Sequence, residues 1–496
     1  MCSKCTYLLN SYKNTTEVFM NTNSLYTNLL EYSQGNFYPF HMPGHKRTAL
    51  PFPNPWTMDI TEIDGFDNLH HAEGILKELQ QRVSTLFGTK ESFCLINGST
   101  CGLLTAISAC VKPGGKLLMS RNCHKSVYHS VYLRNITPVY VMPEITDFGI
   151  MGSLSVHKVK ALLQEQPDIQ AILVVSPTYD GVVSDITQIA DLAHAHGIPL
   201  IVDEAHGAHF SFHKDFPTSA ISCGADIVVQ SLHKTLPAFT QTALLHLCSH
   251  RVDSSVIQRF LGIYQSSSPS YLLMASIDQC LQILTTEGPQ LFRTFRKNLK
   301  DFYEKCATLQ HIKVFQVQQR NTSAFFDWDD SKILISAQKI GLSGETLSDT
   351  LLKNYQIQLE MSAGHYALAL SSLMDTQEGF QRLFAALWEL EQTTNISEKE
   401  KSADIINSSR FYGIPQQQMT ITQALESPSK TILLTDASGK ISQEYLYLYP
   451  PGIPLIAPGE MIDKKLLATI CKIKEQGLHL EGLSDMTNTR IKIVNF

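Results

Sequence analysis

A lysine stands directly after a β-branched run in Val228-Val229-Gln230-Ser231-Leu232-His233-Lys234-Thr235-Leu236-Pro237. Flanked by Ser231 and His233 and followed by Leu-Pro, it is badly placed for a solvated surface charge. It is well placed for a nucleophile, because loss of water lowers an ammonium's pKa and frees the amine to attack a carbonyl as a Schiff base. Upstream, Leu200-Ile201-Val202-Asp203-Glu204-Ala205-His206-Gly207 sets an acid at the C-terminal end of a buried strand, where open α/β sheets collect their ligands. An ionised Asp203 needs a cationic partner there. Asp203, His206 and His209 also have metal-ligand side chains, but the adjacent lysine run asks for different chemistry and no metal is expected. Further upstream, Asn97-Gly98-Ser99-Thr100-Cys101-Gly102 leads from a strand into an apolar helix. Its two hydroxyls and free backbone N–H groups suit a phosphate, although the same run also reads as a capped helix after a tight turn. It is neither a Walker loop nor a GxGxxG fingerprint.

A phosphate-bearing aldehyde with a ring nitrogen would satisfy all three runs in order, and that combination points to pyridoxal 5'-phosphate. In Arg121-Asn122-Cys123-His124-Lys125-Ser126 the imidazole of His124 is a candidate to stack on the ring, with a polar helix N-terminus as the alternative. Phe40-His41-Met42-Pro43-Gly44-His45-Lys46-Arg47 reads as an arm closing a site or as a basic turn.

These runs need an α/β frame, and the chain can build one. Its 496 residues are 43% apolar and 17% charged, enough for several domains with a large core. Forty basic against 46 acidic residues give a net charge of -6, so a small-molecule substrate is expected rather than nucleic acid or an anionic membrane. No apolar run approaches a spanning helix or a secretory h-region, and a cytoplasmic location is expected. The 11 cysteines are odd in number and lie in apolar segments, as reduced core thiols do. Cys2 and Cys5 form a CxxC without a second pair.

Strands are expected at 92–96, 116–119, 138–141, 171–175, 199–202, 227–230 and 242–247, alternating with amphipathic helices, which is the pattern of a parallel sheet between helical layers. Ile75, Leu79, Val83 and Leu86 make one helical stripe that Gly88 would end. A smaller α/β unit follows, with strands at 314–315, 323–328 and 367–370 and a helix at 379–390. The expected division is an N-terminal arm over 1–58, a large domain over 59–308, a small one over 309–396, a polar linker over 397–409 and a C-terminal domain over 410–496.

On these residues the chain closely resembles the Orn/Lys/Arg decarboxylase family, pyridoxal-phosphate enzymes of the aspartate-aminotransferase fold. The matching stretches are MPGHK (42–46), INGST (96–100), RNCHKS (121–126), SPTYDGVVSDI (176–186), VDEAHGAHF (202–210), GADIVVQSLHKTLPAFTQTA (224–243) and YPPGIPLIAPGE (449–460). The resemblance implies a fold-type-I transferase architecture, a mainly parallel sheet sandwiched by helices with smaller α/β units behind it. It makes Lys234 the cofactor lysine and Asp203 the partner of the ring nitrogen. Ser99, Thr100 and Ser231 would hold the phosphate, His124 would stack on one face of the ring, Ala205 and His206 would line the other, and His233 would lie near the substrate carboxylate. The chain resembles the short form, without the receiver-like domain of the long members, and family members are homodimers or dimer-based assemblies. Asp180 stands where short members often have an aromatic, and Leu232 where a small hydroxyl residue is usual.

The activity implied is decarboxylation of arginine, lysine or ornithine to agmatine, cadaverine or putrescine. A basic substrate brings a second cation whose desolvation a carboxylate with aromatic walls offsets. Glu460, after a Pro-Gly turn, is the first candidate for that carboxylate and Glu444 the second, with structural hydrogen bonds between domains as the alternative for both. An aminotransferase, a carbon-sulfur lyase and a non-catalytic regulatory homologue remain alternatives, since cofactor motifs do not fix which α-bond breaks.

Overall fold

The computed structural model describes residues 25–48, 50, 52–317, 322, 324–393, 411–448, 452–475 and 479–495. The CxxC at Cys2 and Cys5 and the linker expected over 397–409 lie outside them.

At the centre is a seven-stranded sheet with the spatial order Glu91–Leu95, Ala243–Leu247, Ile227–Gln230, Leu200–Asp203, Ile169–Val175, Lys116–Ser120, Thr137–Val141. Ala243–Leu247 runs antiparallel to both neighbours and every other pairing is parallel. The central strands are buried on both faces, which is why they read as continuous Ile, Leu and Val rather than as alternation. Two apolar layers flank the sheet. One holds Leu103, Ile107, Val127 and Val131 from helices Gly98–Cys110 and Lys125–Leu133. The other holds Val159, Leu163, Ile189 and Ala193 from Val156–Glu165 and Ile186–Ala195. Of the expected stripe, Leu79 and Val83 are buried on helix Ile75–Phe87, Leu86 is partly buried and Ile75 is exposed; Leu76 and Phe87 complete the buried face, and the helix ends at Gly88 with φ +70° as expected.

The smaller unit centres on an antiparallel sheet ordered Lys313–Val314, Lys332–Ser336, Tyr366–Leu370, Met361–Ala363. Its helix Gln377–Thr393 is longer than expected. The strand anticipated over 323–328 is reduced to Asp327–Trp328 among the described residues, and it pairs with Val182–Val183 beside the central sheet. Lys332–Ser336, the sheet's fully buried inner strand, was not anticipated. The arm contributes helix Leu25–Gln34 and strand Tyr38–Phe40, which pairs in parallel with Ile357–Leu359. In the C-terminal part, Leu446–Leu448 lies between Ile453–Ile456 and Leu480–Glu481, and helix Lys464–Glu475 covers a separate core with Ile470 and Ile473. Among the described residues no helix is long and apolar enough to cross a membrane.

Candidate active site

The C-terminal ends of the parallel strands open into a cavity of about 540 Å³, lined by Lys234, Asp203, Ala205, His206, His124 and Ser99 together with residues of the C-terminal part. Each side chain is delivered by a strand end. Asp203 closes Leu200–Asp203, and its Oδ1 accepts the Ala205 N–H at 3.2 Å. Lys234 sits in the single turn Leu232–Thr235 after Ile227–Gln230. That turn is braced from the arm, because the Gly44 N–H donates to the His233 carbonyl at 2.7 Å.

Lys234 Nζ lies 2.9 Å from His206 Nε2. Burial pulls the lysine pKa below its ordinary value, and Asp203 offsets part of that pull. Burial raises Asp203, with the charge of Lys234 acting against it. His206 is driven well down by burial first and by Lys234 next, so its ring is a neutral partner for the amine. His124 is lowered to about 4 by burial and by the same lysine charge. Its Nδ1 lies 2.8 Å from Ser126 Oγ and accepts the Ser126 N–H at the start of Lys125–Leu133.

Ser99 opens helix Gly98–Cys110, where Gly98 takes φ +73°, and Ser231 Oγ donates to Ser99 Oγ at 3.0 Å. Thr100 is exposed on the first turn and, like Ser231 and His233, does not line the cavity. His233 is held by its Nδ1, 2.9 Å from the Thr242 carbonyl oxygen. Asp180 lines the cavity wall and Leu232 is fully buried in the core.

Neither glutamate chosen from sequence reaches this cavity. The Glu460 carboxylate takes both terminal nitrogens of Arg121 at 2.6 and 2.9 Å and also the Ala457 N–H at 2.7 Å. Glu444 accepts the backbone N–H groups of Ser484 and Lys492 at 2.8 and 2.7 Å. Both carboxylates are consumed by structural bonds, which corrects their expected role in binding substrate. Arg382, on helix Gln377–Thr393, donates to the carbonyls of Asn36, Tyr355 and Gln356 and so is not free to anchor a substrate carboxylate.

Sequence reasoning missed Tyr179, Tyr447 and Glu481, which also line the cavity. Tyr179 packs on His206 with ring centroids 4.7 Å apart, and its hydroxyl donates to Glu360. It lies within the SPTYDG stretch, so its neighbourhood was legible although its contact was not. Tyr447 stacks on Tyr445 with centroids 5.5 Å apart.

The cavity fits pyridoxal phosphate. Hydroxyls gather at a helix N-terminus, an acid and a lysine with lowered pKa follow from the ends of two neighbouring strands, and the buried His206 Nδ1 is left without a hydrogen-bond partner. Such a constellation on a mainly parallel sheet defines a fold-type-I pyridoxal-phosphate enzyme. The profile of the Orn/Lys/Arg decarboxylase major domain matches residues 23–330, and that of the C-terminal domain matches 407–485. The chain belongs to the Orn/Lys/Arg decarboxylase family; it is a decarboxylase and pyridoxal phosphate is its cofactor. It is 32% identical to an arginine decarboxylase of Bacillus subtilis over 95% of this chain and 97% of the relative. With the constitutive lysine decarboxylase of Escherichia coli it shares 23% over 86% of this chain and 71% of the relative. The fold matches the lysine decarboxylase LdcF of Francisella novicida with a TM-score of 0.78 at 21% identity, covering 95% of this chain and 80% of that one.

Proposed function

We propose that the protein removes the α-carboxylate of L-arginine to give agmatine and CO2, with lysine and ornithine as the competing basic substrates. The observation that carries the site assignment is the 2.9 Å contact between Lys234 Nζ and a neutral, buried His206 in a cavity that also holds Asp203. Arginine is favoured over lysine because four relatives that this chain matches over nearly their whole length are named arginine decarboxylases.

When bound, pyridoxal phosphate supplies a conjugated ring that takes up the electron pair left by departing CO2. The chain's residues prepare for that event. Ser99, Ser231 and the first turn of Gly98–Cys110 would hold the phosphate, with Thr100 beside them. Asp203 would keep a proton on the ring nitrogen, His124 would lie against one face, and Ala205 and His206 against the other. Lys234, with its lowered pKa, would present its amine to the aldehyde and would return a proton to the substrate α-carbon. His233 is the second candidate for that proton.

A cytoplasmic homodimer completes the proposal. The nine cysteines among the described residues are all free, and the arm exposes Leu25, Tyr26, Leu29 and Trp56 as apolar surface for a second copy. The test is CO2 release from arginine, lysine and ornithine by the holoenzyme, with keto acids assayed in parallel. Arginine should turn over with the highest kcat/KM and without keto acid. Keto-acid formation, or no CO2 from any of the three, would contradict the proposal.

A further inference from the structure

With Glu460 and Glu444 committed to structural bonds, the cavity offers other carboxylates to a substrate's second cation. Apart from Asp203, the acids lining it are Asp180 and Glu481. Asp180 comes from the Thr178–Gly181 turn after strand Ile169–Val175, and Glu481 from strand Leu480–Glu481 in the C-terminal part. Two separate parts of the fold thus bring negative charge to one space. Resting on the reading of the protein as a basic amino-acid decarboxylase, we propose that Asp180 and Glu481 are the specificity residues that receive the substrate's distal cation.

Asp180 is buried at 3% exposure, and its Oδ1 accepts the Tyr366 hydroxyl at 2.6 Å. Among the described residues no hydrogen bond is made to Oδ2, although the residue faces the cavity. That leaves Oδ2 for a guanidinium or ammonium entering the cavity, and a charge-assisted hydrogen bond to a carboxylate is among the strong ones. Burial also raises the Asp180 carboxyl to about 6, against the pull of Tyr366. An arriving cation therefore meets a group whose ionised form it stabilises.

The backbone fixes this carboxylate from behind. Trp328 Nε1 donates to the Asp180 carbonyl at 2.9 Å, and Gly181 takes φ +97°. A Cβ at Gly181 would come within 2.8 Å of the Asp329 carbonyl oxygen, so the turn is held by close backbone approach as well. Glu481 is the outer member of the pair, exposed on the rim and 3.0 Å from His479 Nε2. Tyr447 pairs with Glu481 across the strands and lines the same cavity, which sets an aromatic face beside the acid. The unpartnered Nδ1 of buried His206 marks the same cavity as one built around a polar ligand.

The test uses two charge-only changes, Asp180→Asn and Glu481→Gln, and two substrate pairs of matched shape that differ in charge, arginine against citrulline and lysine against 2-aminoheptanoate. Holoenzyme variants should keep the visible cofactor absorbance while the kcat/KM preference for the charged member narrows by about tenfold or more. Agmatine, measured by calorimetry on the same holoenzymes, should bind about tenfold more weakly or worse. Either folded variant with wild-type preference and wild-type agmatine affinity overturns the assignment. If buried Asp180→Asn does not fold, the rim variant Glu481→Gln decides alone. A wild-type protein inactive on every basic amino acid overturns the underlying reading, which separates that failure from failure of the acidic pair.

Discussion

Arg121 and Glu460, 339 positions apart in sequence, form a two-pronged ion pair with both side chains essentially inaccessible to water. The pair ties the loop after strand Lys116–Ser120 to the turn after Ile453–Ile456, and the Arg121 guanidinium also lies 4.6 Å from the centre of the Tyr140 ring. Removing one partner of such a pair leaves a buried charge uncompensated, which typically costs about 3–5 kcal/mol. Glu460→Gln should therefore lower the denaturant midpoint clearly while the KM for the best basic substrate stays within about threefold of wild type. Unchanged stability with a strongly raised KM would return Glu460 to the substrate.

This pair also shows where the sequence stops being legible. A glutamate after Pro-Gly reads as available, and its arginine partner becomes visible only when the C-terminal part docks on the central sheet. The parallel strands were legible because burial on both faces leaves unbroken β-branched runs ending at Gly, Ser or an acid. Lys234, Asp203, His206 and Ser99 sit at those ends, so strand position alone brought them to one cavity. Lys332–Ser336 escaped because Lys332 reads as exposed; in the fold it is fully buried, with Nζ 3.5 Å from Asp329. Glu481 and Tyr447 belong to short irregular strands of the C-terminal part, whose pattern carries no sign of the cavity they face.

Stability at acid pH should report on His124. Its folded pKa, lowered to about 4, lies below the ordinary value of 6.5. A depressed pKa contributes stability that is complete above about 6.5 and is lost as pH falls toward 4. Protonation would also take away the Nδ1 lone pair that accepts the Ser126 N–H and set a positive charge at a helix N-terminus. Thermal melts of the apoprotein between pH 4 and 7 should show a smaller acid-side decline for His124→Asn than for wild type. Parallel declines would remove His124 from the acid sensitivity of the fold.

Gly44 carries a prediction about how the lysine turn is held. A Cβ there would stand 2.8 Å from the backbone N and O of Leu236, immediately after the Lys234 turn. Gly44→Ala must push that turn away, and a misplacement of catalytic groups by about 1 Å can cost on the order of 100-fold in rate. The variant should lose both cofactor absorbance and kcat, and full retention of both would mean that the arm does not brace the turn.

Asp203→Asn preserves shape but cannot hold the ring-nitrogen proton as an anion does. Turnover should fall by more than about tenfold, a barrier increase above about 1.4 kcal/mol, while cofactor still binds. A smaller loss in single-turnover assays would count against the assignment.

The role of Lys234 is tested most directly by loading the protein with pyridoxal phosphate, reducing it with borohydride and mapping the modified peptide by mass spectrometry. One pyridoxyl group is expected, on Lys234, and none on a folded Lys234→Ala variant, which should also release no CO2 from arginine, lysine or ornithine. Modification of a different lysine, or near-normal decarboxylation by Lys234→Ala, would contradict that role.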